Sequence, residues 1–231
     1  MKKLYLTLLI SIISISIFAQ YEGPTPPNYK DIEININTRY DYNDLMKRYL
    51  AGDENMDIDE QRHLYYGYIF QPQYNPTDTS KYNNEMSKVL NRKFLSEDDY
   101  NSLERSAKAL LSEDPFNLRA INTLLLVYAQ NDNAEQYKIA TQKKGIIQRA
   151  IASSGDGMTK KSAYYVIKVA HEYDILSFLG FKYGGSEKLE RNCKCNSVTV
   201  ASNPFDVEKI YFNIAPAMDY AKRKGDGKFI L

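Results

Sequence analysis

Residues 96–115, SEDDYNSLERSAKALLSEDP, and the run behind them, FNLRAINTLLLVYAQ (116–130) and NAEQYKIATQKKGIIQRAIA (133–152), decide how this chain folds. Ser96 precedes the first run and Asp99 stands three residues later, the spacing of a capping box. Leu95 and Tyr100 occupy the positions of a hydrophobic staple. Tyr100, Leu103, Ala107 and Leu110 recur in steps of three and four, one face of a helix. Pro115 ends that helix and suits the start of the next. Leu118, Ile121, Leu124, Leu125 and Tyr128 then form a second stripe. Neither helix hides its stripe alone, so the two bury them on each other or on neighbours.

The turn Asp114-Pro115-Phe116-Asn117 resembles the junction of a tetratricopeptide repeat. Ile121, Leu124 and Tyr128 fall where that repeat places large residues. Leu125 stands where a small residue is expected, Tyr137 where the next helix wants Ala, and no second copy recurs at the ~34-residue period. The resemblance implies TPR-like helical hairpins, not a regular array.

Outward from this centre, the chain starts with MKKLYLTLLISIISISIFAQ, which has a basic start (Lys2, Lys3), an apolar core and Ala19 before Gln20. That is the pattern of a secretory signal peptide, 1–19, cleaved before Gln20. The mature protein is expected to be exported, periplasmic or extracellular, and soluble. No cysteine suits a lipid anchor, and no later apolar run is long enough to span a bilayer. YKDIEININT (29–38) reads two ways: Ile32, Ile34 and Ile36 alternate as in a strand, while Tyr29, Ile32 and Ile36 fit one helical face. Asp41 caps a helix carrying Leu45, Met46, Tyr49 and Leu50, closed by Gly52. Asp57 and Glu60 open DIDEQRHLYYGYIF, with Leu64, Tyr65, Tyr68 and Ile69 inward. Tyr82, Met86, Val89 and Leu90 mark one more helix.

Bulk composition is that of an ordinary globular chain: 231 residues, 43% hydrophobic and 26% charged, enough for a core in one domain or two small ones. The formal charge is +1. Without Lys2 and Lys3 the 30 basic residues fall to 28 against 29 acidic, a net of −1. No charge field argues for nucleic acid or an anionic membrane. Tyrosine is abundant, 20 against no tryptophan. It fits either a ligand-binding surface or half-buried core edges, and its places on apolar faces favour the latter.

Past the SSGDG turn (153–157) the character changes. YYVIKVA (164–170) reads as a buried strand, HEYDILSFLGF as a short helix. KLERNCKC, SVTVAS and VEKIYFNI read as three antiparallel strands with turns at Asn196 and at Asn203-Pro204. Pro216 starts a last helix, PAMDYAKR. The fold class is therefore α+β, helical over 20–158 and mixed over 159–231, with a small antiparallel sheet and one or two helices.

LYYGYIFQPQYNP (64–76), AIASSGDG (150–157), VIKVAHEYDILSFLG (166–180) and KIYFNI (209–214) together resemble an exported bacterial family, the domain-of-unknown-function family four-nine-one-nine. The resemblance covers most of the mature chain in the same order. It implies one family unit, helical first and mixed afterwards, with helix and not strand near Tyr29. It implies no activity.

Candidate chemistry is sparse. His171 and Glu172 are the only acid–base pair that sequence offers, at a predicted strand end, where neighbouring side chains point to opposite faces. No two-histidine metal spacing exists, since the other histidine is His63; neither a metal nor a cofactor is expected. Cys193 and Cys195 would lie roughly 6.6 Å apart along a strand, the limit of disulfide reach. Two thiols, a bent disulfide and a bond between chains all remain open. SSGDG lacks the Lys-Ser/Thr ending of a phosphate loop and the acidic ladder of a calcium loop. The expected function is a non-enzymatic interaction or scaffold module of the cell envelope, binding a peptide or protein. The alternatives are a hydrolase of envelope or dietary polymers using His171 and Glu172, and a glycan-binding protein using Tyr65, Tyr66 and Tyr68.

Overall fold

The structure is a computed structural model that describes residues 23–77, 79–190 and 192–225. The signal-like segment lies outside the described residues. Among the described residues seven α-helices come first: α1 (Tyr29–Thr38), α2 (Tyr42–Leu50), α3 (Ile58–Gly67), α4 (Lys81–Leu90), α5 (Glu97–Glu113), α6 (Leu118–Gln130) and α7 (Ala134–Ala152). Each opens on an Asn, Asp or Ser whose side chain accepts from a backbone N–H of the first turn: Asn28, Asp41, Asp57, Ser80, Ser96, Asn117 and Asn133. Asp57 and Ser96 form full capping boxes with Glu60 and Asp99. These short polar side chains satisfy donors that the helix itself leaves unpaired.

For residues 29–38 the helical face wins. Ile32 and Ile36 are buried and Ile34 is 52% exposed, the outcome of a stripe at four-residue spacing. A 3₁₀ turn, Tyr68–Phe70, follows α3 directly. α5 packs on α4 and α6, α7 on α6, and α3 on α1 and α7.

The second part holds a four-stranded mixed sheet in the order β1-β4-β3-β2, an α+β arrangement. β2 (Tyr183–Glu190), β3 (Cys195–Val200) and β4 (Lys209–Asn213) are antiparallel. β1 (Tyr164–Tyr165) pairs with β4 in parallel, Tyr164 opposite Phe212. Of the expected strand YYVIKVA only the two tyrosines join the sheet. Val166 and Ile167 are fully buried in the connection, and α8 (Ala170–Leu176) begins at once. Val166 N still donates to Asn213 O of β4 (3.0 Å), and both side chains belong to the common buried cluster. The turn between β2 and β3 falls at 192–194, with Lys194 at φ 49°. Asn196, expected in that turn, instead lies inside β3 opposite Leu189 and Phe212. Asn203 holds the loop before β4, donating to Ala201 O (3.0 Å) and Val207 O (2.7 Å). α9 (Ala215–Lys224) has Pro216 in its first turn and closes on Gly225 at φ 68°.

One cluster of buried side chains runs from Ile32 to Ile214 through both parts. Tyrosines bind it together, and their hydroxyls explain why phenylalanine would not serve. Tyr42 donates to Leu64 O (3.0 Å), Tyr49 to Pro115 O (2.8 Å) and Tyr74 to Ile167 O (2.6 Å). Each ring fills core volume while its tip satisfies a carbonyl that burial would leave bare.

Ser153–Gly157 is a tight structural turn. Asp156 N and Gly157 N both donate to Ser162 O, at 3.0 and 2.8 Å. A Cβ on Gly155 would lie 2.3 Å from that carbonyl oxygen, so only glycine fits. Near it the start of the described chain is tied down. Thr25 N donates to Ser153 O (3.0 Å), while Arg62 reaches Ser153 O (3.0 Å), Ser153 Oγ (2.8 Å) and Thr25 O (2.9 Å). Among the described residues no helix is long and apolar enough to cross a membrane.

Candidate functional site

Two places gather polar side chains against apolar walls: a buried junction around His171, and an open groove among the helices.

His171 sits in the first turn of α8, not at a strand end, and is 1% exposed. Its Nε2 lies 3.0 Å from Phe116 O and its Nδ1 2.7 Å from Tyr65 Oη. The carbonyl only accepts, so Nε2 carries the proton and donates. Nδ1 then accepts from the Tyr65 hydroxyl, whose oxygen in turn accepts from Ile167 N–H (3.3 Å). A neutral imidazole satisfies every member of this chain, and both ring nitrogens are engaged. Beside it Lys168 Nζ pairs with Asp114 Oδ2, which also accepts from Asn117 Nδ2 at 3.2 Å. These residues clamp the α5–α6 turn to the connection that leads into α8.

Glu172 turns away from its neighbour. It is fully buried and accepts from Asn196 Nδ2 of β3 at 3.0 and 3.2 Å. Burial pushes its carboxyl up to about 8; the Asn196 hydrogen bond opposes this and the charge of Glu187 adds to it. The sequence-level pair of His171 and Glu172 therefore serves two different partners, one toward the helices and one toward the sheet. Chemically the arrangement can hold protons in place, but it opens neither group to a substrate.

Tyr65, Tyr66 and Tyr68 are likewise buried, none more than 1% exposed. Tyr66 donates to Ala150 O and Tyr165 O, both at 3.2 Å. None offers a ring face to solvent, because α3 is covered by α1 and α7. The structure brings Tyr65 to His171 and leaves Tyr66 and Tyr68 in the packing around it. Cys193 and Cys195 flank Lys194 in the β2–β3 turn and are joined by a disulfide, their Cα atoms 5.2 Å apart. The bend at Lys194 closes the separation of an extended strand. Among the described residues no group of three or more His, Cys, Asp or Glu is placed to hold a metal ion.

The groove is the larger feature, about 530 Å³. Met46 and Leu50 of α2 form one wall, and Leu111 of α5 and Leu124 of α6 face them. Ile139 and Ala140 of α7 continue the apolar surface. Polar groups stand round it: Gln73, Ser112, Gln136 and the Tyr128 side chain. Its lining contains two lysines, Lys108 and Lys143, and neither Asp nor Glu. Lys108 is paired with Glu104, one turn away on α5, at 2.6 Å. The Lys143 ammonium lies 5.2 Å from the centre of the Tyr49 ring and pairs with no carboxylate among the described residues. Burial lowers its pKa.

Sequence reasoning expected the helical hairpins to receive a peptide or protein but did not place the groove. Leu124 and Tyr128 were visible as parts of a stripe, and both are largely buried at the floor of it. Leu50, 51% exposed at the end of α2, was the available signal.

With the geometry in hand, the comparison with known families is informative about kinship. The family model described as domain of unknown function DUF4919 matches residues 30–223. The chain belongs to that family. No curated protein and no solved structure matches it.

Proposed function

We propose, starting from membership of a family without an assigned activity, that the protein is a binding module of the cell envelope. The groove among α2, α5, α6 and α7 receives an extended segment of a peptide or partner protein. The observation that carries this reading is the groove itself: an apolar trough of the size of known ligand sites, rimmed by side-chain amides and hydroxyls. Placement outside the cytoplasmic membrane rests on the signal-like residues 1–19. Hydrolysis would rest on His171 and Glu172, whose polar atoms serve separate partners, and glycan binding on tyrosine rings that are enclosed. Neither alternative gains a supporting observation.

The test is Leu50→Glu. Leu50 is half exposed, so a carboxylate there leaves the fold intact while placing charge in the trough. A randomised fluorescent octapeptide library is titrated against the chain from Gln20 onward. Binding that falls at least tenfold in Leu50→Glu, with an unchanged thermal melt, is expected. Equal binding by both proteins would remove the groove from consideration.

A further inference from the structure

We propose that the occupant of the groove is a peptide segment in which an acidic side chain stands beside a bulky apolar one, the carboxylate held by Lys143. This deepens the preceding reading and rests on it.

The argument starts from charge. A partly buried ammonium is costly to keep without a partner. Lys108 has Glu104 at 2.6 Å; among the described residues Lys143 has the face of Tyr49 and no carboxylate. A ring face supplies attraction but accepts none of the three ammonium hydrogen bonds in the way a carboxylate does. Among the described lining residues there is no Asp or Glu; Glu104 already neutralises Lys108, so a carboxylate brought by a ligand is matched to Lys143. It would complete a charge-assisted bond to a partly buried ammonium, stronger than a neutral hydrogen bond there.

The second half of the chemistry comes from the walls. Leu50, Leu111 and Ile139 are exposed or partly exposed and line the same groove as Lys143. A bulky side chain next to the acid would fill it. Peptide is favoured over a fatty acid by what stands between the walls. Gln73 and Gln136 each offer a donor and an acceptor, which matches the alternating groups of an extended backbone and is wasted on an alkyl chain.

Two octapeptide pools separate the possibilities, one alternating Leu, Ile or Phe with Asp or Glu, the other identical but with Asn and Gln. Each is titrated by fluorescence anisotropy against wild type, Lys143→Met and Leu50→Glu, with fluorescent palmitate as a third probe. The proposal expects the acidic pool to bind wild type about tenfold or more tightly than the amide pool. Lys143→Met should erase that difference without lowering the melt. Pools that bind equally well, both lost in Leu50→Glu, would overturn the acidic occupant and leave the groove reading standing. Palmitate bound in place of both pools would overturn the peptide. Absence of binding by all three probes would overturn both readings.

Discussion

A methyl group added at Gly67 would sit 2.9 Å from Ile36 Cγ2 and 3.2 Å from Tyr42 Cε2. Glycine in a helix costs about 1 kcal/mol relative to alanine, and this close approach of α1 and α2 to α3 is what that cost secures. Ile36 is buried and β-branched, so it has little room to give way. Gly67→Ala is expected to lower stability by about 1–3 kcal/mol in urea denaturation, the overpacking outweighing the propensity gain; a rise in stability would refute it. A glycine inside a helix points to close approach by a neighbouring helix; the helix carrying Tyr42 and Tyr49 is one such neighbour here, while the nearer one, Ile36, lay in a segment that read two ways. Glu172 offers a second residue-scale test. Its folded pKa is raised to about 8, so the folded state keeps a proton that the unfolded chain releases in the ordinary carboxylate range. That contribution to stability is whole at pH below that range, declines as pH rises toward about 8, and is level beyond it. The decline is about 1.4 kcal/mol for each pH unit crossed. Comparing urea midpoints at pH 5 and pH 8, Glu172→Gln should lack this component. Parallel pH profiles for the two proteins would show that Glu172 ionises normally.

Between elements, the firmest tie joins the α5–α6 turn to the connection before α8. Lys168 and Asp114 form it, with side chains only 5% and 11% exposed. Removing one partner of such a pair strands a buried charge, which costs about 3–5 kcal/mol, while removing both costs much less. Lys168→Met should therefore be severely destabilised, and Asp114→Asn with Lys168→Met should regain most of the loss. If the single change costs under about 1 kcal/mol by denaturant titration, the pair is no tie. Six of the seven helices before this point were legible because their signals are local: a capping residue, a stripe, a proline or glycine at the end. The first, α1, read equally well as a strand. β1 was legible only as an apolar run, since two residues pairing in parallel with β4 leave no local trace. Asn196 was misplaced for a related reason. Asn is common in turns, but here its amide is required inside β3 to meet the Glu172 carboxyl. His171 was only a weak acid–base candidate in sequence, because a lone histidine beside a carboxylate looks alike whether it works or packs. The structure sets its two ring nitrogens against Tyr65 and Phe116.

At the scale of the molecule, Val166, Ile167, Val198 and Phe212 share one buried cluster with Tyr65, Leu110 and Ile151. The helical part and the sheet therefore stabilise each other. Unfolding should be a single transition, with far-ultraviolet dichroism and tyrosine fluorescence giving the same urea midpoint; midpoints that separate would show two independent parts. The groove had no signature in sequence because its walls come from four helices, each ordinary by itself. The stitch between Thr25, Arg62 and Ser153 bears on how such a chain is made. A polypeptide emerges from its N-terminal end, yet Thr25 finds its acceptor only when Ser153 has followed it and α7 has been wound. This tie spans the whole run from α1 to α7, so its closure follows the winding of the helices between its two ends.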